Sequence, residues 1–216
     1  MKPYIMPARD GEYEIVIDRS RFICHIKRVY TDTDAQEFIH QIKKAHPNAN
    51  HNCSAYQIGD RSEIQKANDD GEPSGTAGIP MLEVLRKQDI KNCVAVVTRY
   101  FGGIKLGAGG LIRAYGKSVS EALGEIGLIH RKTMRTFNVH TDYSMLAALQ
   151  NRLESSPYLL KDIHYTDAVI LEIIADVDAS ETFIAWMTDI SQGKATINPQ
   201  GTSFQEIPFS RYIKGR

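Results

Sequence analysis

Two short glycine-rich segments of this 216-residue chain bring together the residues best suited to a binding or catalytic site. The first, Asn68-Asp69-Asp70-Gly71-Glu72-Pro73-Ser74-Gly75-Thr76-Ala77-Gly78, holds three carboxylates within four residues. The second is Thr98-Arg99-Tyr100-Phe101-Gly102-Gly103-Ile104-Lys105-Leu106-Gly107-Ala108-Gly109-Gly110. Together they contain eight of the 16 glycines, although each glycine costs about 0.5–1 kcal/mol in regular structure. Such density implies tight turns, positive φ angles, or close approach of another backbone or a ligand.

Charge is patterned around these loops. Between positions 91 and 120 the basic residues are Lys91, Arg99, Lys105, Arg113 and Lys117, and no acidic residue interrupts them. Arg113 and Lys117 are four apart and share a helix face, close to the helix start at Ala108-Gly109-Gly110. Free N–H groups and the positive dipole end of such a helix attract an anion. Arg99, Gly102, Gly103, Lys105, Gly107, Gly109, Gly110, Arg113 and Lys117 are therefore candidates for contact with phosphate or nucleic acid. The plain alternative is a solvated basic face beside a structurally required turn. Asp69, Asp70 and Glu72 could hold Mg²⁺ against a bound phosphate, or shape the turn and pair with a nearby arginine.

Familiar signatures fail letter by letter. A P-loop needs Ser or Thr after its lysine, but Leu106 follows Lys105; a dinucleotide fingerprint begun at Gly107 meets Ile112 where its last glycine belongs. Ser74 is no nucleophile elbow, because proline occupies the position of the serine in Gly71-Glu72-Pro73-Ser74-Gly75. His46, His51 and Cys53 lack the further ligands of a zinc site, and no metal is expected there. Trp186 lies beside a helical apolar stripe and is read as packing.

The elements that must position these residues follow from periodicity. Alternation at Tyr13, Ile15, Ile17 and at Phe22, Cys24, Ile26 across Asp18-Arg19-Ser20 predicts a hairpin. Thr33 with Gln36 matches a capping box that opens a helix ended by His46-Pro47. A strand over 53–58, a short helix over 80–88 and a strand over 93–98 buried on both faces follow. The strongest helix of the chain carries Leu111, Ile112, Tyr115, Val119, Leu123 and Ile126 as its apolar stripe. After a change of character around 127–135, the pattern reads strand (134–141), helix (143–154), strand (159–165), strand (168–177), helix (180–190), strand (195–206). This βαββαβ order makes a four-stranded antiparallel sheet with two helices on one face. The class is α+β in two domains, 1–130 and 134–216.

Lys and Arg number 26, and so do Asp and Glu. Zero net charge argues against a protein that coats nucleic acid or an anionic membrane indiscriminately, while leaving room for a local basic site. No apolar run approaches a membrane span or a signal peptide. Cys24, Cys53 and Cys93 are odd in number and strand-borne, so a reducing, cytoplasmic setting is expected.

Three segments also carry a resemblance. His-Asn-Cys-Ser-Ala-Tyr at 51–56, Asp-Asp-Gly-Glu-Pro-Ser-Gly-Thr-Ala-Gly at 69–78 and Val-Thr-Arg-Tyr-Phe-Gly-Gly-Ile-Lys-Leu-Gly-Ala-Gly-Gly-Leu-Ile-Arg-Ala-Tyr at 97–115 resemble the IMPACT/YigZ family of bacterial and eukaryotic proteins. The likeness spans residues 20–125, and 134–206 is similar to the smaller C-terminal domain of the bacterial members. It implies an N-terminal domain like domain 2 of ribosomal protein S5 and a ferredoxin-like C-terminal domain similar to domain V, the last domain, of elongation factor G. Both folds recur in translation proteins, and the eukaryotic relatives regulate translation. The family has no established catalytic residue. The resemblance adds His51, Asp69, Asp70, Glu72, Ser74, Thr76 and Tyr100 as candidates for a shared surface.

Two functions stand beside each other. The leading one is a non-enzymatic protein associated with RNA, the ribosome or translation factors, a regulator of translation, with no cofactor, no membrane partner and no DNA specificity. The alternative is a small-molecule enzyme binding a nucleotide or phosphorylated substrate at the same glycine-rich loop, with Lys105 neutralising phosphate and Asp70 or Glu72 holding Mg²⁺ or acting as base. A composite site requires that the loops at 69–78 and 101–110 meet to form a cleft; on opposite faces they could not build one.

Overall fold

A computed structural model describes residues 3–209. It contains two units, the first made of the chain up to Arg131 with the segment from Glu206, the second Lys132–Gln205. Among the described residues, 206–209 group with the first unit. Within the first unit, Arg28 donates to the Glu206 carboxylate at 3.1 Å. Residues 210–216 lie outside the described residues.

The first unit opens with a strand that periodicity did not reveal, β1 (Tyr4–Pro7). β2 (Gly11–Ile17) and β3 (Ser20–Arg28) form the predicted hairpin. Its two turn residues, Asp18 and Arg19, both take positive φ (44° and 65°), matching the right-handed twist of the flanking strands. α1 (Asp32–Ala45) starts two residues earlier than the predicted capping box: Thr31 Oγ1 accepts from Asp34 N, and Asp34 Oδ2 accepts from Thr31 N, each at 3.1 Å. Asp34 plays the part assigned to Gln36, whose amide instead donates to the Tyr56 hydroxyl at 2.7 Å.

β4 (His51–Ile58), a second unpredicted strand β5 (Ile64–Asn68), α2 (Gly78–Lys87), β6 (Cys93–Tyr100) and α3 (Gly107–Ile126) complete this unit. β2 to β6 form one antiparallel sheet in the order β2-β3-β6-β4-β5. β6 is buried on both faces, as its unbroken apolar run predicts. Cys93, Ala95 and Val97 join Met81, Leu85, Leu111, Tyr115 and Val119 beneath α2 and α3, whereas Val94 and Val96 join Ala35, Ile39 and Tyr56 beneath α1. Ile112 departs from the expected stripe; it is 44% exposed, at the edge of the buried face of α3.

β7 (Leu128–Thr141) is longer than predicted, because its first residues pair with β1, Tyr4 opposite Arg131. The second unit then runs α4 (Tyr143–Glu154), β8 (Leu159–Tyr165), β9 (Val169–Asp176), a short 3₁₀ turn, α5 (Ser180–Ile190) and β10 (Thr196–Pro208). Its sheet order is β10-β7-β9-β8. Phe137, Val139, Leu171 and Ile173 pack against Leu149, Leu153, Phe183 and Met187 from the helices. Trp186 packs as expected, its ring 4.9 Å from that of Tyr158. No helix among the described residues is long and apolar enough to cross a membrane.

Candidate functional site

Each acid of the first glycine-rich segment is committed to a different partner. Asp69 accepts from the backbone N–H groups of Gly75 (2.8 Å), Ala77 (3.1 Å) and Gly78 (2.8 Å), folding the loop onto the start of α2. Burial alone would raise its pKa, yet these three donors hold it below the usual carboxylate value. Asp70 accepts from Lys43 Nζ at 2.6 Å and from Asn52 N at 2.7 Å. Burial again works upward, and the Lys43 ammonium and the Asn52 N–H outweigh it, leaving Asp70 low. The Asp70 carbonyl accepts from His51 Nδ1 at 2.9 Å, which leaves Nε2 as the other ring nitrogen.

Glu72 reaches inward. Its side chain is only 3% exposed and its Oε1 accepts from Arg99 Nη1 at 2.6 Å and from the Tyr115 hydroxyl at 2.8 Å. His51 Nε2 lies 3.8 Å from Oε2. Arg99 in turn lies over two rings, 5.4 Å from the centroid of Phe22 and 5.5 Å from that of Phe101. Burial pushes the Tyr115 hydroxyl far above its ordinary pKa, reinforced by its Cys53 and Glu72 neighbours, so it remains a donor. Burial likewise pushes the Cys53 thiol up to about 12; its Sγ contacts the Asp69 carbonyl and the Tyr115 hydroxyl.

These contacts bring the two loops together. A cleft of about 360 Å³ is lined by Asn50, His51, Glu72, Pro73, Arg99, Phe101, Lys105, Leu106, Gly107, Ala108 and Leu111. One wall is the start of α3, where Leu106 supplies no side-chain cap and the first N–H groups have no partner within the helix. Gly103 and Gly107 adopt left-handed φ of 87° and 68° with open space around them, so glycine is there for the backbone. Gly102 is there for clearance, since a Cβ would collide with the backbone of Arg19 and Ser20 in the hairpin turn.

Of the predicted phosphate-contacting residues, Arg99, Lys105 and Gly107 line the cleft, and Gly102 and Gly103 shape its loop. Gly109, Gly110, Arg113 and Lys117 lie along the first turns of α3 outside it. Lys105, Arg113 and Lys117 are exposed and make no ion pair among the described residues.

The predicted shared surface divides. His51 and Glu72 reach the cleft, Asp69 and Asp70 brace its loop, Thr76 is buried and donates to the Pro73 carbonyl at 2.6 Å, and Ser74 is exposed outside the cleft. Tyr100 does not join them. Strand alternation turns it to the opposite face from Arg99, where its hydroxyl meets His46 Nδ1 at 2.9 Å beside His25. A Mg²⁺ site built from Asp69, Asp70 and Glu72 is not what the geometry offers, because their oxygens point to separate protein donors. Among the described residues, the three-residue cluster with metal-ligand spacing is Asp162, His164 and Glu172 in the second unit; there Lys161 Nζ already sits 2.6 Å from Glu172 Oε1.

Asn50, Phe101 and Leu111 were not among the predicted site residues. Asn50 Oδ1 accepts from Phe101 N at 2.8 Å and ties the loop to the start of β4. The only sequence signal was proximity to the motifs; the pairing of His51 with Arg99 across β4 and β6 needs the strand register.

Comparison with known proteins gives the family. The family model "Impact N-terminal domain" matches residues 18–123, and "Domain of unknown function (DUF1949)" matches 139–194. The sequence is 56% identical over 203 residues to the Bacillus subtilis (strain 168) IMPACT family member YvyE, covering 94% of each chain. It is 31% identical over 195 residues to the Escherichia coli (strain K12) IMPACT family member YigZ, covering 89% of this chain and 96% of that one. A crystal structure titled as that of a hypothetical protein matches 92% of this chain and 97% of its own, with a TM-score of 0.58 and 31% identity. The protein is thus a two-domain α+β protein with a loop-built cleft in its N-terminal domain. It belongs to the IMPACT family. The eukaryotic Protein IMPACT-B of Xenopus tropicalis is 35% identical over 114 residues, 47% of this chain and 35% of that protein.

Proposed function

We propose that this protein is a non-enzymatic RNA- or ribosome-associated factor that acts in translation, with the cleft and the first turns of α3 as its phosphate-contacting surface. The observation that carries the reading is the uncapped start of α3 at the cleft wall, beside three cations, Lys105, Arg113 and Lys117, that have no acidic partner among the described residues. Backbone N–H groups and unpaired ammonium or guanidinium groups on one surface suit phosphate. The sheet order β10-β7-β9-β8 within a βαββαβ chain supports the ferredoxin-like reading of the second unit, similar to domain V of elongation factor G. The first unit is read as the S5 domain 2-like fold. Three buried free cysteines are in keeping with a reducing, cytoplasmic setting.

RNA binding measured against salt tests the reading. Affinity should fall steeply as salt rises, and Lys105→Ala with Arg113→Ala should both weaken binding and flatten the slope by about 0.7 for each lost phosphate contact. Unchanged affinity and slope in the double variant would refute it.

An enzyme acting on a nucleotide is the second reading, favoured by the cleft itself, whose size lies at the small end of ligand sites. Against it stands the commitment of Asp70 and Glu72 to Lys43, Asn52, Arg99 and Tyr115. A thermal-shift series with nucleotides and Mg²⁺ separates the two, since a ligand at 100 times its Kd adds about 2.7 kcal/mol.

A further inference from the structure

Phe101 is a large apolar side chain left 44% exposed beside the cleft. Arg99 covers one part of its ring, and Arg99 is itself held by Glu72, while the Phe101 backbone is pinned by Asn50. The ring is a preset platform on a fixed backing. Around it the cleft divides by chemistry. Asn50 spends its carbonyl oxygen on Phe101 N, leaving its amide N–H donors; His51 spends Nδ1 on the Asp70 carbonyl, leaving Nε2. Leu106 and Leu111 make apolar wall, and Lys105 with the open start of α3 attracts an anion. Arg99 Nε adds a buried N–H with no acceptor among the described residues, on a side chain only 7% exposed that lines the same cleft.

An aromatic platform, polar groups and an anion-attracting helix start in one cleft match one nucleotide with its base unstacked. Resting on the RNA reading above, we infer that the cleft takes a single unpaired nucleotide of single-stranded RNA, with its base on Phe101 and its phosphate at the start of α3. Duplex RNA keeps its bases stacked inside the helix and cannot present one this way. Stacking on an aromatic side chain tolerates any base, so the subsite selects for strandedness more than for sequence.

The test uses the intact protein and fluorescence anisotropy with a labelled ten-nucleotide single-stranded RNA, the same strand carrying abasic residues, its duplex, and a free nucleoside monophosphate. The abasic strand should bind wild-type protein about 5- to 150-fold more weakly than the normal strand, the range that loss of one stacked base gives. Phe101→Ala should lose a similar factor on the normal strand, and Phe101→Trp should keep it. Equal affinity for normal and abasic strands, or for duplex and single strand, overturns the base subsite while leaving a phosphate surface intact. A monophosphate bound as tightly as the strand overturns it in favour of a small-molecule site. Absence of salt-dependent binding to every RNA overturns the underlying RNA reading as well.

Discussion

Glu72→Gln is the most direct probe of how the cleft is held. The change keeps size and shape and removes one charge, leaving Arg99, whose side chain is 7% exposed, beside an amide instead of the carboxylate 2.6 Å away. Removing one partner of a buried ion pair costs about 3–5 kcal/mol, because the other charge stays desolvated without compensation. The Tyr115 hydroxyl can still donate to the amide oxygen, so a neutral hydrogen bond worth about 1 kcal/mol survives, placing the loss near the lower end, about 3 kcal/mol. In a protein of this size that corresponds to a fall of about 6–12 °C in the Tm of the first unit. Thermal melts by circular dichroism, with urea denaturation as a second measure, read it out. Adding Arg99→Met removes the stranded charge, and the double variant should recover much of the loss, short of the contacts of Arg99 with Phe22 and Phe101. A Glu72→Gln protein that melts within about 2 °C of wild type, or a double variant worse than both singles, would show that the reasoning about a dry, paired cleft floor is wrong.

Three other outcomes follow from the geometry. Burial holds the His25 pKa below its ordinary value, opposed by Glu12 at 3.0 Å and assisted by His46. Its stabilisation is therefore complete above pH about 6.5 and declines as pH falls from there toward the lowered value. His25→Asn should flatten the Tm profile between pH 7 and 5, and an unchanged slope refutes this assignment. Gly102→Ala should destabilise the protein by about 1–3 kcal/mol or more, as overpacking against the Arg19–Ser20 backbone; a neutral effect in urea denaturation means the loop and hairpin turn can separate freely. Cys24, Cys53 and Cys93 are buried, and burial raises the pKa of each, so none should react with a thiol reagent at pH 8 until the protein unfolds. Rapid labelling of one thiol in native protein counts against that packing.

Much of the fold can be read from local pattern because its long elements are strongly periodic. The stripe of α3, the β2–β3 hairpin and the βαββαβ order of the second unit follow from spacing alone. β1 and β5 escaped because four and five residues are too few to show a period, and β1 also pairs with a strand distant in the chain. The capping box slipped by two residues because Thr31-Asp32-Thr33-Asp34 offers two threonines with acceptors at nearly equivalent spacing.

Composition and motifs alone locate the candidate site: two glycine-rich loops, an acid-free basic stretch, neutral overall charge and the IMPACT family motifs. Tertiary structure decided what each residue is for. Strand register sets His51 opposite Arg99, while alternation sends Tyr100 to the other face, toward His46. The folded loop spends Asp69 on its own backbone and Asp70 on Lys43, and buries Glu72 against Arg99 and Tyr115. Three carboxylates adjacent in sequence thus diverge in space, while Lys105 and its neighbours on α3 stay unpaired. The physical reason is that charge compensation depends on distance and burial, and both are set by contacts between segments far apart along the chain.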